Sequence, residues 1–170
     1  MKIISVANRK GGVGKTTTTI NIATALSAIG RNVLVIDFDP QGNATTSMGI
    51  AKQKENYSSY DVLIGNCDVK EAVLHTDLPS PDLAAAEIEL VEVDKREFVL
   101  KKALSSLEAV YDYVLIDCPP SLNLITINAL VSSNSVMVPL QCEFLALEGL
   151  ADLMKNINAI KRNFNPALTL

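Results

Sequence analysis

The ten residues Asn8-Arg-Lys-Gly-Gly-Val-Gly-Lys-Thr-Thr17 constrain this chain more than any other stretch. The run before them, Lys2-Ile-Ile-Ser-Val-Ala7, is short, apolar and partly β-branched, the composition of a buried strand. Residues 16–29 carry Ile20, Ile22, Ala23, Ala25, Leu26 and Ile29, with Gly30 as a stop, and so predict a helix. A glycine-rich turn therefore joins a strand to a helix. Gly11, Gly12 and Gly14 let backbone N–H groups approach an anion with no Cβ in the way. The helix N-terminus adds unpaired N–H groups and a partial positive charge. Lys15 is placed to reach terminal phosphates, and the Thr16 hydroxyl is a ligand for Mg2+.

Strand-like and helix-like segments alternate along the chain, which predicts a parallel sheet flanked by helices. A second strand, residues 32–36, runs into Asp37-Phe-Asp-Pro-Gln-Gly-Asn43, where Pro40 and Gly42 force a turn. Asp37 and Asp39 are two apart and point to one side in extended backbone, at the carboxyl end of the sheet where open α/β folds bind ligands. A plainer reading stays open: one caps the next helix and the other is solvated. Residues 111–117 form another apolar strand, ending in Asp117 and followed by Cys-Pro-Pro-Ser. An apolar strand ending in aspartate is a weak signal alone. Behind a glycine loop about a hundred residues upstream, it is the arrangement that sets a carboxylate beside a nucleotide's metal ion.

At 170 residues the chain predicts one domain, large enough to bury roughly 70% of its unfolded surface. Fifteen basic and 19 acidic residues give a net charge of −4, which argues against a broad nucleic-acid-binding face. No apolar run is long enough to span a bilayer, and the N-terminus opens on a strand rather than a signal peptide, so a cytoplasmic protein is expected. Cys67, Cys118 and Cys142 form no C-x-x-C pair, which disfavours zinc or a dithiol redox role. Cys118 and Cys142 follow apolar runs and are expected to be buried and reduced, with His75 on the surface.

The loop departs from the common P-loop pattern at Arg9, where that pattern has glycine, and carries an extra lysine, Lys10, before the glycine pair. Lys-Gly-Gly-x-Gly-Lys-Thr resembles the deviant Walker A box of the ParA/MinD group of P-loop ATPases. Asp117-Cys-Pro-Pro-Ser-Leu, residues 126–130 and residues 141–149 resemble the ParA branch in particular. The resemblance implies a P-loop NTPase three-layer α/β sandwich with a mostly parallel sheet. It implies ATP held by Lys10, Gly11, Gly12, Val13, Gly14, Lys15, Thr16 and Thr17. Mg2+ would be held by Thr16, Asp37 and Asp117. Lys10, Lys15 and Asp39 would take part in catalysis, Asp39 by orienting the attacking water and Lys10 by reaching the partner's ATP across a homodimer. It further implies non-specific DNA binding, a ParB-like partner that stimulates hydrolysis, and association with the nucleoid.

Several finer expectations follow. Residues 60–65 and 69–74 read as short helices, and Pro79 and Pro81 as breaks. The family's edge strand is expected to be shortened or absent near Leu78-Pro-Ser80, with its following helix at residues 83–90. A longer helical pattern runs through Phe98, Leu100, Ala103, Leu104 and Leu107. Residues 135–140 read as a strand. The next helix stripes Leu147, Leu150, Leu153, Met154, Ile157 and Ile160 on one face and ends at Lys161 and Arg162.

Members of the resembled family continue past the position of Leu170, and their later part carries the final strands, adenine contacts and most DNA-binding basic residues. The chain is therefore read as incomplete at its C-terminus, with an open sheet edge, marginal solubility or self-association, and weak DNA binding by this segment. Two alternatives stand beside a partitioning ATPase. One is a MinD-like membrane-cycling ATPase, which calls for a basic amphipathic C-terminal helix not found here; the other is a nucleotide-binding chain without turnover.

Overall fold

The computed structural model describes residues 1–50, 57–76, 81–84, 97–142 and 144–170, with nothing said of the side chains of 144–148. Among the described residues its centre is a sheet of six strands: β1 (Lys2–Val6), β2 (Val33–Asp37), β3 (Val73–Leu74), β4 (Asp82–Ala84), β5 (Tyr113–Asp117) and β6 (Ser135–Met137). Their order is β3-β4-β2-β5-β1-β6, and every pairing is parallel except β3 with β4. β2 and β5 are buried along almost their whole length, which is why they read as unbroken apolar runs.

The pleat divides the core between two faces. Val33, Val35, Leu83 and Leu115 point to one side and meet Ala23 of α1 (Lys15–Ala28) and Ala44 of α2 (Asn43–Ser47). Leu34, Ile36, Val114 and Ile116 point to the other. There they join Val62 and Leu63 of α3 (Ser59–Ile64), Leu100 and Leu104 of α4 (Val99–Ser105), and Ala129, Leu130 and Val131 of α5 (Leu124–Ser132). Leu153, Ile157 and Ile160 of α6 (Phe144–Asn163) complete that layer. The result is a three-layer α/β sandwich.

Four expectations are corrected. Residues 69–74 are not a helix: a turn closed by Glu71 N–H to Asp68 O (3.0 Å) and Ala72 N–H to Val69 O (3.2 Å) leads into β3. Asp68 explains the stop, because its carboxylate accepts from Lys70 N–H at 2.9 Å and offers the backbone an alternative to helix. The shortened strand expected in this region is present as the three residues of β4, which lies between β3 and β2 with Leu83 opposite Val35. Leu83 and Ala84 are therefore strand, not the start of a helix; Leu78 to Ser80 and residues 85–90 lie outside the described residues. β6 stops at Met137, short of Leu140. Cys142, beyond that strand, is consequently exposed, whereas Cys118 is buried.

Ile29 also escapes the core, at 72% exposed, because α1 ends at Ala28 and Gly30 (φ 80°) turns the chain, its N–H bonding Ser27 O at 2.9 Å. The outer side of β6 is not wholly unpaired. Thr169 bridges to Ser135, donating to Asn134 O at 3.0 Å and accepting from Val136 N–H at 2.8 Å. Beside it lies an open groove of about 610 Å³, lined by Ile4, Val136, Val138, Leu150 and Leu170 among others.

Candidate functional site

β1, β2 and β5 end together at one edge of the sheet. Val6 is paired with Asp117, and Asp37 with Asp117, so the glycine loop leaves β1 directly beside both aspartates. Within the loop Gly12 and Gly14 take φ of 72° and 87°, values that side chains with a Cβ rarely adopt. Gly14 is the N-cap of α1 and makes no side-chain cap bond; its carbonyl accepts from Thr18 N–H at 2.8 Å. The positive end of a fourteen-residue helix thus opens onto the loop.

Lys15 is only 8% exposed, and its Nζ reaches back to the Lys10 carbonyl at 3.4 Å. Thr16 Oγ1 donates to Asp117 Oδ2 at 2.6 Å. Thr19, one turn further, donates to the Lys15 carbonyl at 3.0 Å and approaches Asp117 Oδ1 at 3.5 Å. Asp37 faces the same space but is bonded elsewhere. Its Oδ2 accepts from Thr45 N–H (2.8 Å) and Thr45 Oγ1 (2.7 Å) in the first turn of α2, and its Oδ1 from Asp39 N–H (3.2 Å). The plainer helix-capping role is therefore one that Asp37 performs. Asp39 is half-buried and its Oδ1 accepts from Gln41 N–H at 3.0 Å.

Both strand-end carboxylates are fully buried. Burial pushes Asp117 up to about 7; Asp37 and Asp39 add to the rise, while Thr16 and Lys15 oppose it. Burial also raises Asp37, against the bonds from Thr45. Oxygen donors from Thr16, Asp37 and Asp117 beside a lysine make a set suited to a small hard cation carried by an anionic ligand. The strain of two buried carboxylates in register is what such a cation would relieve.

Sequence reasoning named the loop and the aspartates but missed four supports. Thr45 holds Asp37. Ser59 Oγ donates to the Asp37 carbonyl at 2.7 Å and fastens α3 to the end of β2. Asn8 braces the loop, its Nδ2 donating to Pro139 O at 2.8 Å and its Oδ1 accepting from Lys10 N–H at 3.0 Å. Gln141 touches the loop twice, donating to Gly12 O at 3.2 Å and accepting from Lys10 Nζ at 3.5 Å. Only polar residues close to the loop or to a strand end signal such roles, and that signal is too common to single them out.

The fold and loop define a P-loop NTPase, and comparison with known proteins places it further. The AAA domain family matches residues 1–170. The chain is 48% identical over its full length to the chromosome partitioning protein ParA of Caulobacter vibrioides, covering 67% of that protein. It is 47% identical to the sporulation initiation inhibitor protein Soj of Bacillus subtilis, over 99% of this chain and 70% of that one. Among solved structures, cobyrinic acid a,c-diamide synthase of Mycobacterium smegmatis, with bound ADP and magnesium, superposes with a TM-score of 0.93. It is 41% identical, and the match covers all of this chain and 72% of that one. The chain belongs to the ParA/Soj family of P-loop ATPases, and it spans about two thirds of the length of these relatives. Among the described residues no helix is long and apolar enough to cross a membrane.

Proposed function

We propose that residues 1–170 form one P-loop domain that binds Mg-ATP and, in the whole protein, hydrolyses it in the course of chromosome or plasmid partitioning. The observation that carries this reading is the Thr16–Asp117 bond of 2.6 Å at the mouth of the glycine loop, with Asp37 in register beside it. The phosphates lie against the amides from Gly11 to Thr17, with the Lys15 ammonium neutralising charge on the outer oxygens. Thr16, Asp37 and Asp117 hold the Mg2+, which supplies charge neutralisation of the phosphates when bound. Asp39, on the loop after β2, orients water for in-line attack, since phosphoryl transfer depends mainly on positioning and charge.

Two copies pair through the nucleotide, each Lys10 approaching the other's phosphates. The dimer holds DNA without sequence preference, and a ParB-like partner stimulates turnover. DNA binding by this segment alone is weak, in keeping with its net charge of −4. The protein works in the cytoplasm, on the nucleoid. The Mycobacterium smegmatis neighbour carries a different name over the same nucleotide-binding fold, so the nucleotide site is the part most directly transferable.

Calorimetry with ATP tests the reading. Saturable binding that weakens when EDTA replaces Mg2+, and disappears in Lys15→Ala, is the expected result. Unchanged ATP affinity in Lys15→Ala would remove the site.

A further inference from the structure

The segment after β2 is built on the carboxylate of its own first residue. Asp37 is fully buried, and its two oxygens accept from opposite ends of that segment. Oδ2 takes the Thr45 N–H at 2.8 Å and the Thr45 hydroxyl at 2.7 Å, while Oδ1 takes the Asp39 N–H at 3.2 Å. Between these points the chain is knit to itself. Gly42 N–H donates to Asp39 O at 2.8 Å, Gln41 N–H to Asp39 Oδ1 at 3.0 Å, and Thr46 N–H to Gly42 O at 3.0 Å. Asp39 therefore rides on a loop whose two ends are clasped by one carboxylate.

Thr45 is the half of this clasp that comes from the far end. It is fully buried, and it lies in the first turn of α2. That helix starts at Gly42, which takes a φ of 61° and has no side chain with which to cap it, so the Thr45 amide turns to Asp37 instead. A hydroxyl and an amide on a buried, charged oxygen make strong and directional bonds. Because a carboxylate is rigid and planar, anchoring Oδ2 with two donors also sets the direction of Oδ1. The Asp39 amide rests on that second oxygen.

We propose that Thr45 is a positioning residue for the hydrolytic step: by holding Asp37 Oδ2 it aims Oδ1 at the Asp39 amide, and so fixes the turn from which Asp39 addresses the attacking water. The consequence for hydrolysis rests on the nucleotide reading above; the relay from Thr45 through Asp37 to the Asp39 backbone does not. Thr45 touches neither phosphate nor water in this scheme. It acts only through the carboxylate between the two.

The test compares Thr45→Val, which replaces the hydroxyl by a methyl group, with Thr45→Ser, which keeps it. Without nucleotide and in EDTA, hydrogen exchange at the Asp39 amide, read by NMR and normalised to the β2 amides, should speed up roughly tenfold in Thr45→Val and stay near wild type in Thr45→Ser. At saturating Mg-ATP, kcat should fall about tenfold in Thr45→Val and recover in Thr45→Ser. ATP affinity in EDTA should stay within about twofold, because the loop amides and Lys15 are untouched. A purely structural cap would lower the melting temperature of Thr45→Val and leave both the relative Asp39 exchange and the kcat of the folded protein unchanged; that result overturns the proposal. So does a serine variant no better than valine, or a kcat restored by excess Mg2+, which would put the effect on the cation instead of on Asp39. If Thr45→Val does not fold, Thr45→Ala takes its place with the same outcomes. A wild type that turns over no ATP sinks the nucleotide reading and the hydrolytic role with it, while the exchange measurement still decides whether Thr45 fixes the Asp39 turn.

Discussion

Asp37 and Asp117 lie directly opposite one another on adjacent parallel strands, both with no solvent exposure. Parallel pairing brings the two strand ends to the same edge, and the glycine loop closes over them from β1. The chain thus stores two like charges in a place where neither water nor a cationic side chain fully compensates them. Lys15 opposes the rise of Asp117, yet burial dominates.

That imbalance predicts the behaviour of Asp117→Asn. Asparagine retains an oxygen for Thr16 Oγ1 and removes the charge. In EDTA without nucleotide the variant should melt a few degrees higher at about pH 8, corresponding to about 1 kcal/mol. The sign follows from linkage: the folded-state pKa of about 7 lies above the ordinary 3.8, so the folded chain holds the extra proton in between and loses stability as pH rises through that window. The advantage should vanish at about pH 4, where the wild-type carboxyl is protonated. Fluorimetric melts at the two pH values decide it; a lower melting temperature at the higher pH would contradict the account.

Thr16→Ala separates phosphate binding from metal binding. The loop amides and Lys15 are left in place, while the hydroxyl that donates to Asp117 is lost. ATP affinity in Mg2+ should fall roughly tenfold, and in EDTA it should stay within about twofold of wild type. Titration calorimetry in the two buffers reads the difference, and an equal loss in both would dissociate Thr16 from the metal.

Two glycines of the loop should respond differently to alanine. A Cβ at Gly11 or Gly14 meets nothing within 4 Å, so steric overlap decides neither. Gly14 has a φ of +87° and Gly11 no positive φ. Gly14→Ala should cost about 1–2 kcal/mol of stability through backbone strain alone, and Gly11→Ala about 0.5 kcal/mol or less. Urea melts without nucleotide measure both.

The start of α3 gives a prediction for acid. Ser58 and Asp61 form a capping box: Ser58 Oγ accepts from Asp61 N–H at 3.2 Å, and Asp61 Oδ2 accepts from Ser58 N–H at 2.9 Å. Burial pushes the Asp61 carboxyl up, but the bonds from Ser58 and Asn66 outweigh it and the net shift is downward. A depressed carboxylate stabilises the fold above its unfolded pKa and loses that contribution as pH falls through the folded value. Asp61→Asn should therefore narrow the gap between urea stabilities at about pH 7 and about pH 3. Ser58→Ala should cost about 1 kcal/mol at neutral pH.

The elements that carry chemistry were legible because their signals are local. The loop announces its own turn, and β2 and β5 are buried on both faces, so their apolar runs end visibly at Asp37 and Asp117. The left-hand edge of the sheet was not. Leu83 and Ala84 sit in an alanine-rich run with helical composition, yet pairing with β2 and full burial draw them into a strand. Residues 69–74 have apolar spacing that fits a helix, and the bonds of Asp68 cut it short. Gln141 and Asn8 reach the loop from positions no periodicity marks, since their value lies in contacts across 129 and 131 residues of sequence.

The opposite rim of the sheet has its own hub at Asp82. Its Oδ2 accepts from the Tyr111 hydroxyl at 2.7 Å and lies 3.0 Å from His75 Nδ1, while Oδ1 accepts from Thr76 N–H at 3.4 Å. This knot ties the exit of β3 and the entrances of β4 and β5 far from the glycine loop. The scaffold is thus pinned at its base and open at its crown, so that rearrangements at the loop can proceed against a fixed footing.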